Sequence, residues 1–186
     1  MRIISGTYGG RRFEAPRNLQ ARPTTDIAKE SLFNILQNRL DFEGLKTLDL
    51  FGGTGSISFE LLSRGVESAV CVEMGHVQQT FIRKVADTLG IGRELQLVRG
   101  DVFKYLRSAS AIAPEEGMFD FIFADPPYAL PQLAELPQLI LGSHLLKPDG
   151  IFVLEHGKDN DFQEVEGFRE LRIYGAVHFS FFSHAE

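Results

Sequence analysis

The chain has 186 residues, 44% of them apolar, which suits one hydrophobic core and predicts a single domain over 1–186. A lone cysteine, Cys71, excludes an internal disulfide framework and suits a reducing compartment. No apolar run approaches the roughly 18 residues of a membrane span, and the N-terminus Met1-Arg2-Ile3-Ile4-Ser5-Gly6 lacks a signal-peptide core, so a cytoplasmic monomer with no membrane partner is expected. The net charge of −6 argues against a nucleic-acid partner only if it is spread evenly, and it is not. Residues 1–25 carry Arg2, Arg11, Arg12, Arg17 and Arg22 against Glu14 alone, a balance of +4 that leaves −10 for the remainder. A basic, glycine-punctuated arm on an acidic body can hold phosphates that the body would repel.

In chain order, Thr25 or Asp26 caps a helix over 26–40 with Ile27, Leu32, Phe33, Ile35, Leu36 and Leu40 along one side. A core over 45–186 follows. Leu45–Phe51, Ser68–Glu73, Glu94–Arg99, Phe119–Ala124 and Gly150–Glu155 are short, apolar and bounded by turn residues, as strands buried on both faces are. Helical patterns lie between them at Ile57–Arg64, Val77–Leu89, Val102–Leu106 and Leu133–Leu146, while Ala109–Gly117 reads as a loop. Two further strands, Phe168–Tyr174 and Val177–Phe182, are joined by Gly175-Ala176, a link short enough only for a hairpin. The prediction is an α/β, Rossmann-like fold: a seven-stranded, mostly parallel sheet ending in an antiparallel hairpin, with helices on both faces.

Asp49-Leu50-Phe51-Gly52-Gly53-Thr54-Gly55-Ser56 ends the first strand and opens a helix. Glycines there let the backbone approach a ligand whose polar groups meet free helix amides, which points to a nucleotide. The dinucleotide fingerprint requires one more glycine where Ser58 stands, and Asp49 would repel a pyrophosphate, so a dehydrogenase is disfavoured. An acid at that place suits the ammonium group of S-adenosylmethionine. Glu73, ending the second strand, is placed for a ribose diol, and Asp101, after the third, for an adenine amine or for capping the next helix.

Asp125-Pro126-Pro127-Tyr128 ends the fourth strand on the same rim. Two prolines stiffen the backbone, so that the Asp125 carboxylate and a main-chain carbonyl form a pair of acceptors suited to an exocyclic amine. Tyr128 offers a face on which a base can stack, worth about 1–3 kcal/mol. Holding both amine hydrogens would aim the nitrogen lone pair at an electrophile and stabilise the positive charge that grows on it.

Glycine loop, strand-end acids and Asp-Pro-Pro-Tyr together resemble the class I amino-methyltransferases. Arg2-Ile3-Ile4-Ser5-Gly6, Gly10-Arg11-Arg12, Arg22-Pro23-Thr24-Thr25-Asp26 and Lys29-Glu30-Ser31-Leu32-Phe33-Asn34, with Leu62-Ser63-Arg64-Gly65 and Tyr174-Gly175, resemble the RsmD family over nearly the whole chain. That resemblance implies direct in-line methylation of the N2 amine of one guanine in bacterial 16S rRNA, on the small ribosomal subunit or its assembly intermediate, with S-adenosylmethionine as cofactor and no metal. By the same likeness Asp125, Pro126 and Tyr128 are catalytic. Asp49, Phe51, Gly52, Gly53, Thr54, Gly55, Glu73, Asp101 and Val102 hold the cofactor, and Arg2, Arg11, Arg12, Arg22, Pro23 and Thr24 meet substrate. The family more usually has phenylalanine at Tyr128, polar residues where Gly75 stands and asparagine at Val85.

Two rivals remain open on the residues alone. The bare Asp-Pro-Pro-Tyr motif would also fit a DNA adenine-N6 methyltransferase, although no second domain large enough to read a duplex is evident, and a non-catalytic ribosome-assembly factor could reuse the fold. His76, His144, His156, His178 and His184 show no metal-ligand spacing and read as surface or rim histidines. Glu155-His156 ends the fifth strand on the active rim, a lesser candidate for touching substrate.

Overall fold

The computed structural model describes residues 1–19 and 24–184; Arg22 and Pro23 lie outside them. Helix α1 (Asp26–Leu36) is capped by Thr25, whose hydroxyl accepts from the Ala28 amide, and buries Ala28, Leu32, Phe33 and Leu36 at helical spacing. It stops four residues before the expected Leu40, which follows a turn. Strands β1 (Lys46–Leu50), β2 (Ser68–Glu73), β3 (Leu95–Arg99) and β4 (Phe119–Ala124) alternate with α2 (Ser56–Ser63), α3 (His76–Leu89) and α4 (Val102–Ile112). Next come a 3-10 turn, Pro131–Glu135, helix α5 (Leu136–Leu141) and strands β5 (Leu146–His156), β6 (Phe168–Tyr174) and β7 (Val177–Phe182).

Two further expectations fail locally. Helix α4 runs to Ile112, into the expected loop, because Ala109 is buried in the core and extends the apolar stripe of Val102 and Leu106. It ends at Ala113, held extended ahead of Pro114, as a residue before proline prefers. The single helix expected over Leu133–Leu146 is instead broken. Pro131 and Pro137 open two short helical pieces, Gly142 ends the second, and Leu146 already belongs to β5, where it pairs with Phe119. The β4–β5 register then shifts between Phe119 and Phe121, across the part of β5 that contains Pro148.

The sheet order is β3-β2-β1-β4-β5-β7-β6, parallel throughout except that β7 runs antiparallel to both neighbours. The chain reverses its direction of winding between β1 and β4, and in open parallel sheets ligands bind beyond the strand ends at such a point. One face of the sheet buries α1, α2 and α3 with Ile3 of the arm; the other buries α4 and α5.

The arm is not a loose leader. Residues 1–13 fold on themselves through an antiparallel bridge between Arg2 and Arg12, and Ile3 is wholly buried. Glu60, with no exposed surface, accepts the Ile4 and Ser5 amides at 2.8 and 3.1 Å, and holds Lys29 at 3.2 Å and Arg64 at 2.8 Å. Lys29 donates onward to the Arg2 carbonyl and Ser56. Ser63 donates to the Ser5 carbonyl and accepts the Tyr8 amide. The Leu62-Ser63-Arg64-Gly65 stretch thus serves to dock the arm on α2. Burial lowers the Lys29 pKa, opposed by Glu60; Glu60 is lowered overall, since Lys29, Arg64 and the arm amides outweigh its own burial.

Candidate active site

A cavity of about 660 Å³ opens beyond the ends of β1, β2 and β4, lined on one side by Asp49, Gly53, Glu73 and Asp101 and on the other by Thr24, Asp125, Pro126 and Tyr128. Phe51, Gly52, Thr54 and Val102 also line it, so every expected cofactor residue but one faces the same space. The exception, Gly55, makes the turn into α2 at φ 78, and a side chain there would meet the Phe59 ring at 2.8 Å. Gly52 lies so near Cys71 that a Cβ would collide with its sulfur. Phe51 follows β1 with φ 58, a conformation that costs a non-glycine residue about 1–3 kcal/mol and that gathers at functional sites. Its ring meets Phe103 edge-on across the cavity mouth.

The acids differ in how they are held. Asp49, 2% exposed, accepts both the amide (3.2 Å) and the hydroxyl (2.7 Å) of Ser58 on Oδ2. Burial pushes its pKa up to about 7 despite those bonds, with Glu73 adding to the rise. Glu73 clasps the glycine loop to α3, accepting the Gly53 amide on Oε1 at 2.9 Å and the Gly75 amide on Oε2 at 2.6 Å. Asp101 caps α4 by accepting the Lys104 amide at 3.0 Å and also borders the cavity. A cavity with a buried acid, a rim acid beside the glycine loop and aromatic rings at its mouth fits an adenosine ligand carrying an ammonium group.

At the other end Asp125 follows β4 and Glu155 stands beside it at the end of β5, since Ala124 and Leu154 are register partners. The Thr24 hydroxyl lies 2.7 Å from Glu155 Oε1 and 3.3 Å from Asp125 Oδ2. The Tyr128 hydroxyl donates to Glu155 Oε2 at 2.8 Å, and the ring backs onto Gly157, where a Cβ would approach it to 2.9 Å. Burial first, then Glu155, then Asp49, hold the Asp125 carboxyl well above the usual carboxylate range.

The profile of the family described as "Conserved hypothetical protein 95" matches residues 1–183. The chain belongs to this family, the RsmD family. The Bacillus subtilis protein YlbH is 36% identical over 90% of this chain and 88% of its own. The Escherichia coli K12 protein named ribosomal RNA small subunit methyltransferase D is 30% identical over 89% of this chain and 79% of its own. A solved structure of a hypothetical protein from a Thermus species superposes with TM-score 0.83 at 30% identity, covering 98% of this chain and 99% of that one. The fold is that of the class I methyltransferases.

In this RsmD-family chain Arg11 and Arg12 are exposed on the docked arm, and Arg2 is half-buried with Nε 3.2 Å from Asp26. The two departures from the family pattern differ in consequence. Val85 is buried in the core and is not among the residues lining the cavity at the strand ends, whereas Gly75 offers its amide to Glu73. Sequence reasoning missed Ser58, seen only as a break in a glycine pattern, and gave Glu155 a minor place. His156, read as a rim or surface residue, is 1% exposed. Its Nδ1 lies 2.8 Å from the Gly157 carbonyl, an acceptor, so Nδ1 carries the proton and Nε2 accepts from Ser180 at 2.7 Å. Burial lowers its pKa. A second groove, of about 740 Å³ between Phe13–Asn18 and α3, has no acid pair and no glycine loop. No cluster of metal-ligating residues occurs among the described residues, nor a helix long and apolar enough to cross a membrane.

Proposed function

We propose that this chain methylates the exocyclic N2 amine of one guanine in 16S rRNA, within the small ribosomal subunit or its assembly intermediate, working in the cytoplasm as a monomer with S-adenosylmethionine. The observation that carries this reading is the Asp125-Pro126-Pro127-Tyr128 end of β4 facing across one cavity toward the glycine loop and Asp49. The relatives' ribosomal RNA activity supports the choice of substrate, and the exposed Arg11 and Arg12 supply the phosphate contacts it needs. Asp49 would hold the cofactor ammonium, Glu73 the ribose, and Asp101 with Val102 the adenine. When bound, the cofactor supplies an electrophilic methyl group.

The target base stacks on Tyr128, while the Asp125 carboxylate and the Pro126 carbonyl accept the two amine hydrogens. That grip turns the nitrogen lone pair out of the ring system and along the line to the methyl carbon. With the methyl group passing from the cofactor sulfur to that nitrogen, the positive charge growing there would lie beside Asp125, which would stabilise it and take the departing proton. No covalent enzyme intermediate is required. The test is incubation with labelled S-adenosylmethionine and, in parallel, naked rRNA, 30S particles and duplex DNA, followed by mapping of the modified base. Label on a guanine N2 of the small-subunit RNA is expected. Label on DNA adenine alone, or cofactor binding with no label anywhere, would overturn the reading in favour of a DNA enzyme or an assembly factor.

A further inference from the structure

We propose that Glu155 selects guanine over other purines by accepting the N1–H of the target base while Asp125 holds its N2 amine. The inference rests on the guanine-N2 reading and extends it to a residue with no role in that mechanism. Its starting point is one hydroxyl: Thr24 Oγ1 approaches Glu155 Oε1 to 2.7 Å and Asp125 Oδ2 to 3.3 Å, so a single donor bridges two carboxyl groups from neighbouring strand ends. Thr24 and Asp125 line the cavity, and Glu155, 1% exposed, does not line it itself but touches it through that hydroxyl. A ligand edge that replaces the Thr24 hydroxyl is favoured when it brings a donor to each acid, since a carboxyl oxygen that loses its donor in so dry a place is costly, even where Tyr128 still holds the far oxygen of Glu155.

Guanine has such an edge. Its N1–H and an N2–H are adjacent and point the same way, so one can meet Glu155 and the other Asp125. Adenine carries its amine beside an unprotonated N1, and 2-aminopurine keeps the N2 amine but also has a bare N1. Either would set a lone pair against the Glu155 carboxylate. The second oxygen of Glu155 is fixed by the Tyr128 hydroxyl at 2.8 Å, which sets the carboxylate relative to the stacking ring and so to the plane of the base. Phenylalanine at that place, the more usual family residue, would stack equally well but could not hold Glu155.

The experiment compares the full-length protein with Glu155→Gln on an rRNA fragment spanning the target, carrying either guanine or 2-aminopurine at that base, with small-subunit proteins added if the naked fragment is inert. The wild type is expected to methylate guanine at least about 10-fold faster than 2-aminopurine, the scale of a good base-edge contact. Glu155→Gln, whose amide can donate to a bare N1, is expected to shrink that ratio to about 2-fold or reverse it. Each ratio is taken within one protein, so a general loss of rate cancels. If the variant does not turn over, affinities for the two fragments in the presence of S-adenosylhomocysteine give the same ratio. A ratio in Glu155→Gln equal to that of the wild type would overturn the role of Glu155 and leave the guanine-N2 reading standing. Absence of label on guanine with the wild type would overturn both.

Discussion

Replacing Asp49 by asparagine tests the cofactor site through proton linkage. The buried carboxyl titrates near pH 7 in the folded chain, against 3.8 for the free group, a difference of roughly 4 kcal/mol between its two protonation states. A raised carboxyl pKa stabilises the fold while the proton is on, so this contribution is complete below about pH 4 and is lost as pH rises through about 7. Between pH 5 and pH 8 the wild type should therefore lose about 3 kcal/mol that Asp49→Asn, which can still accept from Ser58, does not lose. Urea unfolding of both proteins without ligand at the two pH values measures the difference directly. Cofactor should act in the opposite direction. An ammonium group beside Asp49 favours the ionised form, so wild-type affinity for S-adenosylmethionine should rise by up to about 10-fold per pH unit from 5 to 7, then level off. The variant should bind more weakly above pH 7 and show no such slope. Unfolding differences that stay parallel within about 0.5 kcal/mol would refute the raised carboxyl pKa, and an identical pH slope of affinity in the variant would refute the assignment of Asp49 to the ammonium group.

Asp125→Ala should abolish methyl transfer while leaving cofactor affinity, measured by calorimetry, within a few-fold; equal loss of both would move Asp125 into the cofactor site. Because Asp125 must shed a proton held well above the ordinary carboxylate range before it can accept from the amine, single-turnover rate should climb with pH past that range rather than sit on a plateau from pH 5. Removing Glu60 by Glu60→Ala strands the buried Lys29 and should cost about 3–5 kcal/mol in denaturant unfolding. The double change Arg11→Ala with Arg12→Ala should lower RNA affinity and reduce the dependence of log K on log salt by roughly 0.7–0.9 for each phosphate no longer neutralised, with cofactor affinity unchanged.

How far the sequence discloses this fold depends on how local each signal is. The strand alternation, the closing hairpin at Gly175-Ala176 and the glycine turn after Asp49 are each written within a few neighbouring residues, and all appear where expected. Helix ends and the Leu133–Leu146 segment were harder, since Pro131 and Pro137 are permitted in the first turn of a helix as well as at its breaks. The acids on the rim were legible because strand ends in a parallel sheet share one edge. Their partners were not: Ser58 is nine residues from Asp49, Thr24 is 131 from Glu155, and nothing local says that a serine will hold one acid or a threonine bridge two. His156 was misread for the same reason, its contacts being Ser180 across the sheet and a ring, Phe162, brought in by a loop.

The arm joins these two kinds of information. Its arginines suggested phosphate binding from composition alone, but what gives it leverage on the chemistry is the buried Lys29–Glu60–Arg64 cluster that fixes its first residues to α2, and Thr24, which ends within hydrogen-bonding distance of both Glu155 and Asp125. One end of the segment is therefore held by charges with almost no access to water, and the other meets the carboxyl groups of Asp125 and Glu155. On the proposed reading, RNA drawn onto Arg11 and Arg12 would lie on the same piece of chain whose Thr24 hydroxyl would have to yield for an amine to take its place beside Asp125 and Glu155. Asp-Pro-Pro-Tyr by itself asks only for an amine on a flat ring. In the proposed mechanism the pairing of Asp125 with Glu155 beneath Thr24 would turn that request into one for two adjacent donors, and among the common bases guanine presents such an amine with a ring N–H beside it.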